Sequence, residues 1–329
     1  MTDRYIVGVD LGGTSINVGV LPFDGGTVLG MRSLPTEQHR GAKFVVDRMI
    51  EMIGAAMKDA GHERAIPEDG FLGLGIGSPG PLDRATGTVL ETPNLGWRNF
   101  PLRDLIANGT GLEAALDNDA NCAALGEYWQ GAGKDVRNLV AVTLGTGIGG
   151  GIVLDGQVFH GASDVAGEIG HMTIDSIGRK CNCGNYGCLE AYASGPAIAA
   201  RAIEGLDAEG DSLLPSLVGG KLERITAETV YEAIVAGDLY AKEVMKETAK
   251  FLGTGLANLI NLLNPDMIVI SGGVTRAGEH LLEPLRREVK KRSFREGFES
   301  CEIVSSELGG MAGVVGAAAT FKVEKCGGL

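Results

Sequence analysis

Basic residues are scarce in this chain. Lysine and arginine number 29 against 42 aspartates and glutamates, a net charge of −13. A surface that neutralises a nucleic-acid backbone needs the opposite balance, so nucleic acid is not an expected partner. Long apolar runs are missing as well. Nothing in the 329 residues approaches the roughly 20 apolar positions that cross a bilayer. The opening MTDRYIVGVD also enters a strand-like run without the basic start, apolar core and cleavage site of a secretory leader. The expectation is a cytoplasmic protein with no membrane partner. Neither G-x-x-x-x-G-K-[ST] nor a helix-opening G-x-G-x-x-G is present, which excludes the P-loop and the Rossmann fingerprint. Low-complexity linkers are absent too.

What remains is a globular composition, 44% hydrophobic and 22% charged, in a chain long enough for two domains. The 52 glycines cluster at the ends of apolar runs, where backbone can approach a ligand or turn tightly. YIVGVDLGGTSINVGVL reads as a hairpin bent at Gly-Gly-Thr, and NLVAVTLGTGIGGGIVLDG repeats the device near mid-chain. Two copies of one device imply two related α/β domains facing one cleft. Residues 41–60 place Phe44, Val45, Met49, Ile53 and Met57 at helical spacing. Further helices are expected near 188–203, 226–236, 240–264 and 278–291, with strands at DMIVISGGV and CEIVSS. The Gly/Ala-rich segment GGMAGVVGAAATFKV should be a helix docked closely on the body of the protein.

An acidic chain that binds a polyphosphate must neutralise it with backbone N–H groups and a metal ion. Both glycine turns lie between strands, where successive N–H groups can form an anion-binding concavity. Thr14 and Thr146 add hydroxyls at the bends, and Asp10 stands where it could orient hydrated Mg²⁺. A third glycine pair, Gly272-Gly273, follows a strand. D-N-D-A-N at 117–121 sets carboxylates at the start of a helix, suited either to capping or to accepting a proton. Asp117 reads as structural. His171, Cys181, Cys183 and Cys188 form C-x-C-x4-C with an upstream histidine, a ligand set that suits closed, tetrahedral, structural Zn²⁺. A redox thiol pair is the alternative, and an iron–sulfur cluster would want a fourth cysteine. Cys122, Cys301 and Cys326 lie apart and read as ordinary residues.

D-L-G-G-T at 10–14, L-G-T-G-I-G-G-G at 144–151 and I-S-G-G-V at 270–274 resemble the ATP-binding segments of the actin-like/sugar-kinase fold. G-E-I-G-H at 167–171 followed by C-N-C-G-N-Y-G-C-L-E at 181–190 is similar to the signature of the ROK family. The resemblance implies an α/β, two-domain actin-like ATPase (ribonuclease H-like) sugar-kinase fold with a cleft between the domains. The expected division is residues 1–118 plus about 312–329 as a small domain, and 119–311 as a larger one carrying the zinc motif.

By the same resemblance, ATP and Mg²⁺ meet Asp10, Gly12, Gly13, Thr14, Gly145, Thr146, Gly147, Gly272 and Gly273. Asp119 is the general base, and Asn118, Asp119, Glu168, His171, Glu190, Asn94 and Gly80 contact the sugar. For Asn94 a plain turn role is the competing reading. Zinc would then clasp the chain between Glu168 and Glu190. The implied reaction is ATP-dependent phosphorylation of a hexose at its 6-hydroxyl, glucose being favoured, by a homodimer or homotetramer. Mannose, fructose, allose and N-acetylmannosamine are alternative acceptors. A sugar-sensing regulator and an ATPase of the actin or chaperone type are alternatives from other classes. Repressors of the family carry a helix-turn-helix domain ahead of the first loop, and here that loop begins at residue 6, which favours a kinase. Ser15 departs from the lysine that many members have after Gly-Gly-Thr.

Overall fold

The computed structural model describes residues 4–92, 94–206 and 211–329. The chain divides into two compact units. The first takes in the chain up to Val136, then Gly151–Gly167 and Ser306–Leu329; the second is Arg137–Gly150 with Glu168–Ser305.

The first unit opens with the expected hairpin, β1 (Tyr5–Leu11) and β2 (Ser15–Pro22), in register from Tyr5↔Pro22 to Leu11↔Ile16. β3 (Leu29–Pro35) continues the meander on the far edge of β2, and α1 (Ala42–Arg64) follows. β4 (Phe71–Ser78) lies parallel to β1. β5 (Leu82–Asp83), β6 (Thr88–Thr92) and β7 (Trp97–Phe100) make a small antiparallel sheet. After α2 (Leu102–Thr110), β8 (Ala114–Asn118) pairs parallel to β4 and leads directly into α3 (Asp119–Gln130).

The chain then runs through β9 (Leu139–Leu144), β10 (Ile148–Leu154) and β11 (Gln157–Val158). The second unit continues with α4 (Glu190–Ala193), α5 (Gly195–Glu204), α6 (Ala227–Val235) and α7 (Leu239–Leu263). β12 (Met267–Ser271) pairs parallel with β9 and, after α8 (Glu279–Arg292), with β13 (Glu302–Ser305). α9 (Ala312–Cys326) returns the chain to the first unit. The two five-stranded sheets are ordered β3-β2-β1-β4-β8 and β11-β10-β9-β12-β13, so the repeated glycine device marks a repeated topology.

Alternation along β1 assigns its two faces. Tyr5, Val7, Val9 and Leu11 join the core formed with α1, where Met49 and Ile53 are fully buried. Each such side chain contributes about 1.5–3 kcal/mol by leaving water. Ile6 faces α9 instead, with Val314, Ala318 and Phe321. Phe44 departs from the expected core stripe. It is only half-buried, and its ring lies under the guanidinium groups of Arg40 and Arg48. The expected helix at 188–203 is two helices, because Ser194 leaves helical geometry and its side chain caps α5 at Ala197 N–H.

At Gly8 and Gly75, α9 meets the sheet with no side chain between. A Cβ on Gly8 would sit 2.0 Å from the Val314 carbonyl oxygen, and one on Gly75 1.7 Å from that of Ala317. α9 meets α3 just as closely, since a Cβ on Gly316 would lie 1.5 Å from the Cys122 carbonyl oxygen. This contact keeps α3 in the first unit, past the division expected at residue 118. Gly316→Ala should therefore destabilise the protein by about 3 kcal/mol or more, the upper range for overpacking where backbone cannot move aside. Urea unfolding measures it; a loss within about 0.5 kcal/mol, the range of an ordinary surface change, would mean the helices can part there at little cost.

Candidate active site

The residues singled out from the sequence fall in two groups, one in each unit. In the first unit, Asp10 occupies the penultimate position of β1 on the face that turns toward α9. A Cβ on Gly313 would lie 2.6 Å from its carboxyl carbon. Burial pushes its carboxyl above the ordinary range, and a 3.1 Å hydrogen bond from Asn17 Nδ2 offsets part of that. The turn after it is tied at both ends. Gly12 N–H donates to Ser15 O at 2.8 Å, and Thr36 Oγ1 donates to Gly12 O at 2.7 Å. Thr14 is exposed at the bend. Asn94 lies in an exposed turn beside the same loop, where a Cβ on Gly13 would come within 3.3 Å of the Asn94 Cβ.

The D-N-D-A-N segment is the junction of β8 and α3. Asn118 is the cap of α3; its Oδ1 accepts from Ala120 N–H at 2.9 Å and Asn121 N–H at 3.3 Å. Its Nδ2 reaches the carbonyl of Gly80 at 3.4 Å. Gly80 has φ +91°, and a Cβ there would sit 2.3 Å from Glu91 O, so glycine is required on both counts. Asp119 is the first residue of α3 and half-buried, with Oδ1 accepting from Ala120 N–H at 2.9 Å. Asn118 is therefore the cap, and Asp119 shares one of its donors, the Ala120 N–H.

In the second unit, Gly145-Thr146-Gly147 links β9 to β10. Gly145 N–H donates to Gly147 O, and Gly145 O accepts from Gly195 N–H at the start of α5, both at 2.9 Å. Gly272, at φ +94°, lies against the end of β9, where a Cβ would meet Leu144 O at 2.2 Å. Gly145, Thr146 and Gly273 share a cavity of about 760 Å³ with Ala199, Ile225 and Val274. Its size falls within the range of about 300–1,000 Å³ usual for small-molecule sites. An ion pair, Arg276 Nη1 to Glu228 Oε1 at 2.6 Å, stands at its wall. The sequence reading missed this wall. Its one local signal was Ser194-Gly195-Pro196, a capping residue with proline in the first helical turn.

Gly147 faces elsewhere. Glu190 Oε2 accepts from Ile148 N–H at 2.9 Å, and a Cβ on Gly147 would lie 2.5 Å from the same oxygen. The other carboxylate oxygen stands 3.7 Å from Cys181 Sγ. His171, Cys181, Cys183 and Cys188 offer ligand atoms that all lie within 4.8 Å of one another. His171 Nδ1 is 3.9 Å from Cys181 Sγ, and Cys183 Sγ is 3.7 Å from Cys188 Sγ. Tetrahedral bonds of about 2.3 Å would space ligands by about 3.8 Å, so the cluster fits a divalent cation and leaves no disulfide. Burial raises the thiols of Cys181 and Cys188, the latter to about 12, while the Asn185 backbone N–H holds Cys183 lower. A bound cation is what would let three thiolates coexist here. Glu168 opens the turn that carries His171, and its Oε2 is 4.0 Å from His171 Nε2.

Paired sheets of matching strand order, each with a glycine turn after its first strand, define a two-domain α/β protein of the actin-like ATPase and sugar-kinase class. The chain belongs to the ROK family, whose sequence profile matches residues 6–324. It is 40% identical over 317 residues to a glucokinase of Halalkalibacterium halodurans, covering 96% of this chain and 94% of that relative. A xylose repressor of Caldicellulosiruptor bescii is 34% identical over 319 residues, covering 94% of this chain and 76% of the repressor. Among solved structures, a ROK family glucokinase from Streptomyces griseus in complex with glucose and AMPPNP matches with a TM-score of 0.82. That pair is 35% identical and covers 95% of this chain and 98% of the other. Among the described residues, no helix is long and apolar enough to cross a membrane.

Because burial raises the carboxyl of Asp10, the folded state holds its proton to higher pH than the unfolded chain does. Stability is therefore lost as pH rises from the ordinary carboxylate range, about 4, through the raised value. In the protein free of ligands, Asp10→Asn should raise the urea midpoint at pH 7, and the gain should vanish as pH falls toward that range. A lower midpoint at pH 7 would contradict a charge-burial cost at this position.

Proposed function

We propose that the chain transfers the terminal phosphoryl group of ATP to the 6-hydroxyl of glucose, with Asp119 as general base. The observation that carries this reading is the place of the Asp119 carboxylate, first in α3 and directly after the capping Asn118. Asn118 supplies the cap, and the Asp119 carboxylate stands at the positive end of the helix, which favours its ionised form. An ionised carboxylate within reach of a hydroxyl can accept its proton as the oxygen attacks phosphorus. The similarity to glucokinases over nearly the whole chain supports the substrate.

On this reading the cavity beside Gly145, Thr146 and Gly273 receives the nucleoside of ATP, with Gly272 shaping its edge. Gly12, Gly13, Thr14 and Gly147 belong to the turns that meet the phosphates. Mg²⁺, when bound, would neutralise phosphate charge, and Asp10 is the residue that would orient it. Asn118, Glu168, His171, Glu190, Asn94 and Gly80 hold the sugar. Zinc in the thiol cluster would fix the ring of His171 through Nδ1 and leave Nε2 for the substrate. The six free cysteines support a reducing, cytosolic compartment.

Glucose-dependent release of ADP, compared with mannose, fructose, allose and N-acetylmannosamine, tests the reaction. Asp119→Asn should keep sugar binding and lose roughly 10²- to 10⁴-fold in turnover. Near-normal turnover would remove Asp119 from the chemistry, and no sugar-dependent ADP release at all would favour a regulator. For the metal, Cys183→Ser should lower zinc content, melting temperature and glucose affinity together, because structural metal binding is folding free energy. Full activity in protein shown to be zinc-free would overturn the clasp.

A further inference from the structure

Asp117 does more than fill the end of β8. We propose that Asp117, held by His160 and Arg84, is the positioning residue for Asp119, an inference that rests on the reading of Asp119 as the base.

Asp117 is 2% exposed, and both its oxygens are engaged. Oδ1 accepts from the backbone N–H of Asn118 at 2.7 Å and from Asn121 Nδ2 at 3.0 Å. Those two residues flank Asp119 in the chain, one just before it and one two positions after. A single buried oxygen therefore clamps the backbone entering the helix and a side chain in its first turn. Oδ2 serves a different segment. It pairs with His160 Nε2 at 2.8 Å, and Arg84 Nε stands 3.6 Å away.

The loop that holds His160 is tied to the same place by a second bond and is closed on itself by a third. Asp164 Oδ2 accepts from Arg84 N–H at 3.4 Å, and Ala166 N–H closes on His160 O at 3.1 Å. Arg84 is anchored in turn by Glu324 of α9. Eight residues after His160 the chain reaches Glu168, which the proposed function places on the sugar. Asp117 thus links, through one carboxylate, the peptide carrying the base and the loop leading to a sugar carboxylate. Stability alone gives little reason for this arrangement, since a buried ionic cluster is often replaceable by apolar groups at no cost. Geometry does, because a misplacement of about 1 Å at a reacting group can cost a hundredfold in rate.

The test compares His160→Leu, which removes the hydrogen bond, with His160→Gln, whose amide nitrogen can take the place of Nε2. His160→Leu should lower kcat roughly 10- to 100-fold while KM for ATP and for glucose stays within about threefold. His160→Gln should restore most of the lost turnover. If the leucine variant does not fold, His160→Asn, polar but too short to reach Asp117, takes its part. Wild-type kcat in the leucine variant, a glutamine variant no better than leucine, or losses that follow melting temperature alone would each overturn the proposal. Asp119→Asn measured alongside separates the two claims. If that variant turns over normally, the base and its positioning residue both fall. If it is inactive while His160→Leu is unimpaired, only the positioning inference falls.

Discussion

The first unit depends on backbone meeting backbone. α9 sits on β1 and β4 with glycines at Gly8 and Gly75 in place of side chains, and on α3 with Gly316 against Cys122 and Gly126 against Ala312. Dense contact of this kind draws its energy from many small dispersion terms, and a single added carbon forfeits several of them at once. The same approach brings Gly313 onto Asp10, and burial makes this carboxylate costly to ionise. Packing and the charge of Asp10 are therefore one constraint. α3, which carries Asp119, is fixed by the same helix.

The second sheet repeats the strand order, but its glycine turn is secured by other means. Two helix starts hold it: Glu190 of α4 accepts from Ile148 N–H, and the peptide of Gly195, first in α5, donates to Gly145. Glu190 also touches Cys181, so the turn and the thiol cluster share one carboxylate. A change in the state of the thiols has a short path to the loop beside the cavity.

Much of this was legible in the sequence because it is local. The two hairpins show as apolar runs broken by glycine, and His171 and the three cysteines lie close enough in sequence for spacing to bring them together as a cluster. What failed did so for physical reasons. Phe44 keeps the helical period yet lies between two arginines, because a period counts apolar residues without seeing the cations that cover them. The break at Ser194 was hidden by apolar residues on both sides, although a capping serine before Gly-Pro is a start signal. His160 and Asp117 are 43 residues apart, and the cavity wall draws on separate segments around 199, 225 and 274. No period or motif records such meetings; only the fold makes them.

The order of the chain has a consequence for its birth. A ribosome that has made residues 1–305 has released every strand of the first sheet but not the helix that covers the Ile6–Gly8–Asp10 face. Every residue of the second unit precedes Ser306, so the earlier half keeps its glycine-lined face wet until chain beyond Ser305 has emerged. Closure of the first half therefore waits on a segment made after the whole of the second, and a chain cut short before Ala312 keeps one sheet open.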